Sequence, residues 1–272
     1  MTQRPTLTQT TMTQTSTIAR PRAQDAVRHG EAELAAFLAL LDRLDEDDWN
    51  RPTASAGWDV HAMVAHVAGQ HEEGFRPVLF LRRLRRARRR YPERTSLDAH
   101  NAYQIDLLGK LGPGELRRKL AADGAKALRA RRRVPGFLRR LGIARFFPEE
   151  KLVDPTFGYL LDVLSNRDTW MHRLEIARAT GRPFETGDHD RAVVAQVVLE
   201  LARSWPGPPI VLELTGPAGD RWRLGTGDPV ATVTVDALDY LWLLSGRDGE
   251  PVVKIDGDES VRGRVLAARV VF

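Results

Sequence analysis

An acid and an imidazole interrupt the apolar stripe of one helix, and this interruption constrains the chain more than any other feature. The stretch FGYLLDVLSNRDTWMHRLEIARATGR, from Phe157 to Arg182, carries helical spacing, with a stripe through Phe157, Leu161, Leu164, Asp168, His172 and Glu175. Residues three and four apart share a helix face. Asp168 and His172 therefore point where a core should be. A carboxylate buried without a partner costs several kcal/mol, roughly 3 or more. Either a basic side chain or a metal ion must compensate it. An Asp–His or Asp–Arg pair that only ties helices together satisfies the pattern; a metal site needs a third ligand from another helix.

That ligand is available. The stretch GWDVHAMVAHVAG, from Gly57 to Gly69, also reads as a helix, with Val60, Met63, Val64 and Val67 on its apolar face and His66 at the edge of that face. Two histidines and one carboxylate on facing helices make an open site for a first-row metal, with positions left for water or a ligand. The chain has no cysteine. Disulfides, thiolate ligands and a cysteine nucleophile are thereby excluded, and any thiol chemistry must use a thiol from outside. A metal held by His and carboxylate alone is expected to be zinc or another borderline divalent ion.

The 272 residues suffice for two modest domains, and the texture changes along them. Residues 1–20, rich in Thr and Gln, read as a disordered tail. Residues 21–185 read as a helical bundle. A first helix spans about Arg22 to Leu41, with Leu34, Leu38 and Leu41 on one face. A second starts near Asp59 and runs, with a kink or break at Pro77, to about Arg90, where Tyr91-Pro92 stops it. A third starts near Ser96, pauses at Gly112-Pro113-Gly114 and continues to about Arg133. A loop from Gly142 to Pro155 returns the chain to the helix of Asp168 and His172, which Gly181-Arg182-Pro183 ends. Sites in such bundles are built from inward side chains on facing helices.

Residues 186–272 read as a small α+β domain. A helix at about 189–204 ends at Trp205-Pro206-Gly207. The β-type runs Ile210–Leu214, Arg221–Leu224, Ala231–Val235 and Pro251–Ile255 follow, with a helix from Ala237 to Leu244 and a last one from about Asp258.

No stretch approaches the roughly 20 apolar residues needed to cross a bilayer, and the N-terminus lacks the apolar core of a secretory signal. A cytoplasmic protein is expected. The net charge of +5 is mostly arginine, concentrated at Arg82, Arg83, Arg85, Arg86, Arg88, Arg89 and Arg90, with a second patch between Arg129 and Arg140. A basic face can bind nucleic acid, but no aromatic residues interleave with the run. A solvated helix face is the favoured reading.

GWDVHAMVAHVAG, RDTWMHRLEIARATGR and the closing LLSGRDGEPVVKIDGDESVRGRVL resemble the mycothiol-dependent maleylpyruvate isomerase family. The resemblance covers about Leu34 to the C-terminus and is thin from Arg82 to Pro155. It implies an α+β protein, an N-terminal DinB-like four-helix bundle with a small C-terminal α+β domain. It also implies a metal triad of His66, Asp168 and His172, with Asp168 standing where the family uses Glu. Asp is one methylene shorter, which implies a metal nearer the fourth helix or one extra water. An arginine of the C-terminal domain holds an acidic substrate in the family, and Arg247 is its nearest match here.

The cofactors so implied are a divalent metal, zinc, and mycothiol. The partners are that small-molecule thiol and a small, acidic electrophile, with no membrane and no nucleic acid. The implied chemistry is thiolate addition to a cis double bond, rotation about the resulting single bond and elimination, or thiolate transfer to another electrophile. A non-catalytic DinB-like metal-binding module for stress or regulation, using its basic face for a partner, is the alternative.

The other side chains near the motifs read more plainly. His61 is expected at the surface, as are His29, His100 and His189. His71 lies about 140° around the helix from His66, at 100° per residue, and is not expected to share a ligand with it. Glu175 is either an acceptor orienting a ligand histidine or an ion-pair partner of Arg178 or Arg182. Trp58 and Trp170 read as core anchors.

Overall fold

The computed structural model describes residues 13–149 and 152–272, which form two compact units. Residues 20–189 with Val271 and Phe272 make a helical unit; residues 13–19 with Asp190–Val270 make a mixed one. The protein is α+β.

In the helical unit local chemistry starts several of the helices. Helix α1 spans Ala23–Leu41 and α2 spans Val60–Glu73. The Asp59 carboxylate caps α2 by accepting from the Ala62 N–H at 2.7 Å. Pro77 does not merely kink this helix. It opens a separate one, α3 (Pro77–Arg90), because a proline ring suits the first helical turn and not the interior. Thr95 caps α4 (Ser96–Leu108), and Pro113 begins α5 (Pro113–Arg133), where the Glu115 carboxylate accepts from the Gly112 N–H. The pause foreseen near Gly112 is thus a full break between two helices.

After the short α6 (Gly136–Arg139), the site-bearing helix runs in three phases: α7 (Phe157–Tyr159), a π-helical turn (Leu160–Leu164) and α8 (Ser165–Thr180). Gly181, at φ 68°, closes α8 in the left-handed conformation that only glycine takes without strain.

Helices α1, α2, α5 and α8 pack around one core. Phe37, Leu41, Met63, Val64, Val67, Leu116, Leu120 and Ile176 are all buried within it. Gly124 sets how close α5 comes to α1, since a Cβ there would lie 2.6 Å from a Leu34 methyl. Helix α3 packs against α4, which in turn packs against α2. Of the α3 arginines only Arg83 is buried, bonded to Glu72 and Glu73; the others form the exposed face that the charge pattern suggested.

The second unit is a five-stranded sheet with α9 (Asp188–Ser204), α10 (Ala237–Leu244) and α11 (Arg262–Ala267). Its strands are β1 (Thr13–Gln14), β2 (Ile210–Thr215), β3 (Arg221–Leu224), β4 (Ala231–Asp236) and β5 (Lys254–Gly257), ordered β1-β3-β2-β4-β5. Strand β2 runs parallel to β4 and antiparallel to β3. Ala231, Val233 and Val235 turn inward and alternate with half-buried partners, which is the period of a strand with one covered face.

Two differences from the sequence reading stand out. Residues 13–20 of the expected tail are ordered: Thr13 and Gln14 pair with Trp222 and Arg223, while residues 1–12 lie outside the described residues. Strand β5 starts at Lys254, not Pro251. Pro251 has no N–H to give a ladder, and Val252 is exposed. Among the described residues no helix is long and apolar enough to cross a membrane.

Candidate metal centre

His66 from α2 and Asp168 and His172 from α8 come together. One ligand atom from each lies within 4.8 Å of the others. The His66 Nε2 stands 3.8 Å from Asp168 Oδ2, and the His172 Nε2 stands 3.5 Å from Asp168 Oδ1. The two imidazoles are nearly perpendicular, with centroids 5.1 Å apart. Both are buried, while Asp168 keeps part of its surface open.

Their orientation is fixed from behind. Arg83 donates to Glu73, and Glu73 accepts from the Gln104 amide nitrogen at 2.9 Å. This settles which way the Gln104 amide faces, because a carboxylate only accepts. The Gln104 carbonyl oxygen therefore meets the His66 Nδ1 at 2.9 Å, and Nδ1 must carry the proton. His172 is held alike: its Nδ1 lies 2.8 Å from Glu175, whose other oxygen accepts from the Ser55 hydroxyl at 2.8 Å. Both histidines thus direct Nε2 toward Asp168. Gln70 donates to Asp168 at 2.8 Å. The Trp58 ring packs against both imidazoles, at 5.1 and 5.9 Å between centroids.

The electrostatics agree with the geometry. Burial penalises the Asp168 carboxylate, but His172 and His66 outweigh it and hold the group well below the usual carboxylate range. Burial also pushes the His172 imidazolium down, yet Asp168 and Glu175 outweigh this and raise it to about 9. With no ion bound, a proton on His172 takes the role of the cation. The buried His66 Nε2 has no hydrogen-bond partner among the described residues. An imidazole lone pair directed at a carboxylate and a second imidazole is a donor set that fits a divalent ion.

Asp168 and His66 also line a cavity of about 610 Å³ inside the helical unit. Its wall is mainly apolar, drawn from α3, α4, the segment around α6 and the π-helical turn. Phe157, Leu161, Leu164 and Asp168, three and four residues apart, line the cavity together, and the π-helical turn lies among them.

The surface positions expected for His61, His100 and His189 are corrected by the structure. His100 and His189 are buried, not superficial: His100 sits against Glu73, and His189 against Glu33. His61 is half-buried, with Nε2 at the Leu111 carbonyl. Glu175 does orient His172, while Arg182 pairs with Asp45 and Asp48. Trp170 is fully buried against Phe184. Gln104, Gln70 and the packing of Trp58 on the imidazoles carry no signal in the sequence, since the two glutamines are polar residues on weakly amphipathic helices and Trp58 lies just before α2. Arg247 follows α10, with its guanidinium over the Trp242 ring at 5.7 Å.

The helical bundle thus brings an acid-x-x-x-His pair from α8 and a histidine from α2 to one centre that could hold a metal ion. The sequence profile of the mycothiol maleylpyruvate isomerase N-terminal domain matches residues 30–177, and the chain belongs to that family. The uncharacterized proteins MT0041 and Rv0036c of Mycobacterium tuberculosis are each 24% identical over 251 residues, covering 84% of this chain and 88% of theirs. The crystal structure of the mycothiol-dependent maleylpyruvate isomerase superposes with a TM-score of 0.58 at 17% identity, covering 91% of this chain and 97% of that one. A histidine-to-alanine mutant of that isomerase gives the same score at 18% identity.

Proposed function

We propose that this chain is a metal-dependent enzyme that activates a low-molecular-weight thiol, mycothiol, for isomerisation or S-transfer on an electrophilic substrate. One observation carries the reading: two buried histidines on different helices have Nδ1 occupied by Gln104 and Glu175 and turn Nε2 toward one carboxylate. A structural ion pair needs no such arrangement from behind. A divalent ion, zinc by its ligand preference, lowers the pKa of a thiol so that thiolate forms near neutral pH.

The chain's own residues do the rest. His66, Asp168 and His172 would hold the ion, and His66 and the partly open Asp168 also line the cavity. Gln104 and Glu175 keep both imidazoles in the ligating tautomer. Gln70 holds Asp168, and Trp58 covers the histidine rings. Arg247 enters this reading as the group for a substrate or thiol carboxylate on the strength of the family resemblance. Arg247→Lys keeps the charge and loses the fork, so it should leave metal content intact and weaken turnover or thiol binding.

The test is calorimetric titration of mycothiol into zinc-loaded and metal-free protein. Heat with the loaded form alone supports the reading; heat with neither form sinks it. The alternative of a non-catalytic module has the exposed arginines of α3 in its favour. Salt-sensitive DNA or RNA binding that persists in His66→Ala and His172→Ala variants would select it.

A further inference from the structure

The shape and lining of the cavity speak to the substrate. At about 610 Å³ the cavity has the volume of roughly twenty liquid waters, at ~30 Å³ each. Phe80, Leu97, Leu138, Phe147, Leu160 and Leu164 dominate its wall, and all but Phe147 are only partly buried, so apolar surface is presented to the interior of the cavity.

Several of its polar groups are already committed, although Arg131 Nε and Gln70 Oε1 have no hydrogen-bond partner among the described residues and Arg133 also lines the wall. Glu73 is occupied by Arg83 and Gln104, and Gln104 by His66 and Glu73. Gln70 is bonded to Asp168. The buried Arg131 donates to Asn166 and to the Leu161 carbonyl. A small dicarboxylate would exchange most of its hydration for an apolar wall, offset only where it reached Arg131 or Arg133. An alkyl or aryl chain would gain on every methylene it buries.

We infer that the cavity takes the apolar body of the electrophile, an alkyl or aryl chain of about eight to twelve carbons, with its reactive carbon at the Asp168 end. At the ~30 Å³ of a liquid water per carbon, such a chain takes up roughly half of the cavity. This departs from the small, acidic electrophile that the family resemblance implies. It rests on the thiol-activating reading for the word electrophile, but the apolar ligand class rests on the cavity alone. A trans-2-alkenal illustrates the chemistry. The thiolate sulfur bonds to the β-carbon, the π pair moves toward the carbonyl oxygen, and the α-carbon takes the proton that the thiol lost. The product is the 3-thio aldehyde, with no oxidant or reductant required.

Binding and turnover separate the two claims. Titration of 1-hexanol, 1-octanol and 1-decanol into metal-free protein should show affinity rising about fourfold per added methylene, with fumarate binding more weakly than decanol. Leu97→Trp and Leu138→Trp, which fill the cavity from two different helices, should each weaken decanol at least tenfold and leave zinc stoichiometry unchanged. Alcohol affinity independent of chain length, tighter binding of fumarate, or decanol binding untouched in both folded variants would overturn the inference.

With zinc and mycothiol supplied, trans-2-decenal should exceed trans-2-butenal in kcat/KM. If the alcohols bind as described and no enal is turned over, the apolar ligand class stands and the thiol reading fails. If dicarboxylates are turned over and the long enals are not, the thiol reading stands and the apolar assignment falls.

Discussion

Two buried acid–base clusters hang on adjacent residues of α8, and they have opposite characters. Arg173 faces Glu33, giving Nε at 2.8 Å and Nη2 at 2.9 Å to the two carboxylate oxygens, while His189 adds a contact at 3.0 Å. This cluster is closed, because cation and anion satisfy one another face to face. His172, one residue earlier and about 100° around the helix, belongs to the centre with His66 and Asp168. There the strong bonds lie behind the histidines, and the atoms facing one another stand 3.5 and 3.8 Å apart. Burial of charge is common to both. What distinguishes a candidate site is donor atoms oriented toward a common point and not used up there.

The largest expected effect lies on the closed side. Arg173→Met leaves Glu33 buried with its main partner gone and should cost about 3–5 kcal/mol of stability, seen as a lowered Tm. Zinc content per folded chain should not change. If the metal vanished as well, the two clusters would not be independent. On the open side, Glu175→Gln and Gln104→Leu remove only the groups that orient the histidines. Each should weaken zinc about 10–100-fold with little loss of Tm, and unchanged zinc affinity would show that the bonds behind the histidines do not matter.

A smaller effect comes from the raised pKa of His172. The folded value of about 9 exceeds the ordinary value of 6.5. In the metal-free protein the resulting stabilisation is full below about pH 6.5 and is lost as pH rises through about 9. The same proton must leave for a metal to bind. Zinc affinity should therefore rise about tenfold per pH unit between pH 7 and 8, checked by competition with a chelator of known pH dependence. A flat profile would mean that His172 does not ligate as a neutral imidazole.

The smallest effect concerns His71, on the same helix as His66 and likewise buried. Among the described residues neither of its ring nitrogens has a hydrogen-bond partner, and burial depresses its pKa to about 3. It has no bond from behind and joins neither cluster. Its depressed pKa favours the fold above about pH 6.5, and this contribution is lost as pH falls toward 3. His71→Leu should be neutral or stabilising by about 1 kcal/mol near pH 7, and should lessen the acid sensitivity of the metal-free protein. A clear destabilisation would mean that His71 has a polar role.

The three candidate ligands could be read from sequence because helical periodicity fixes which residues share a face. Asp168 and His172 break an apolar stripe, and His66 sits at the edge of another. The partners behind them could not be read. Gln104 lies 38 residues from His66 and Ser55 lies 120 from Glu175, and periodicity within one helix says nothing across such separations. The misplacement of His100 and His189 has the same origin, since each is buried by a distant carboxylate. The cavity was hidden for another reason. Apart from the stripe of Phe157, Leu161 and Leu164, its wall collects single apolar residues from several short segments, none of them with a long stripe of its own.

The central claim is that the open cluster is a metal centre, and metal stoichiometry tests it most directly. Protein stripped with chelator, reloaded with zinc and freed of excess should be measured by elemental analysis as wild type, His172→Ala and Arg173→Met. The account predicts about one ion per chain in wild type and Arg173→Met, and less than about a tenth of that in His172→Ala. No ion in the wild type, or an equal load in His172→Ala, would contradict it.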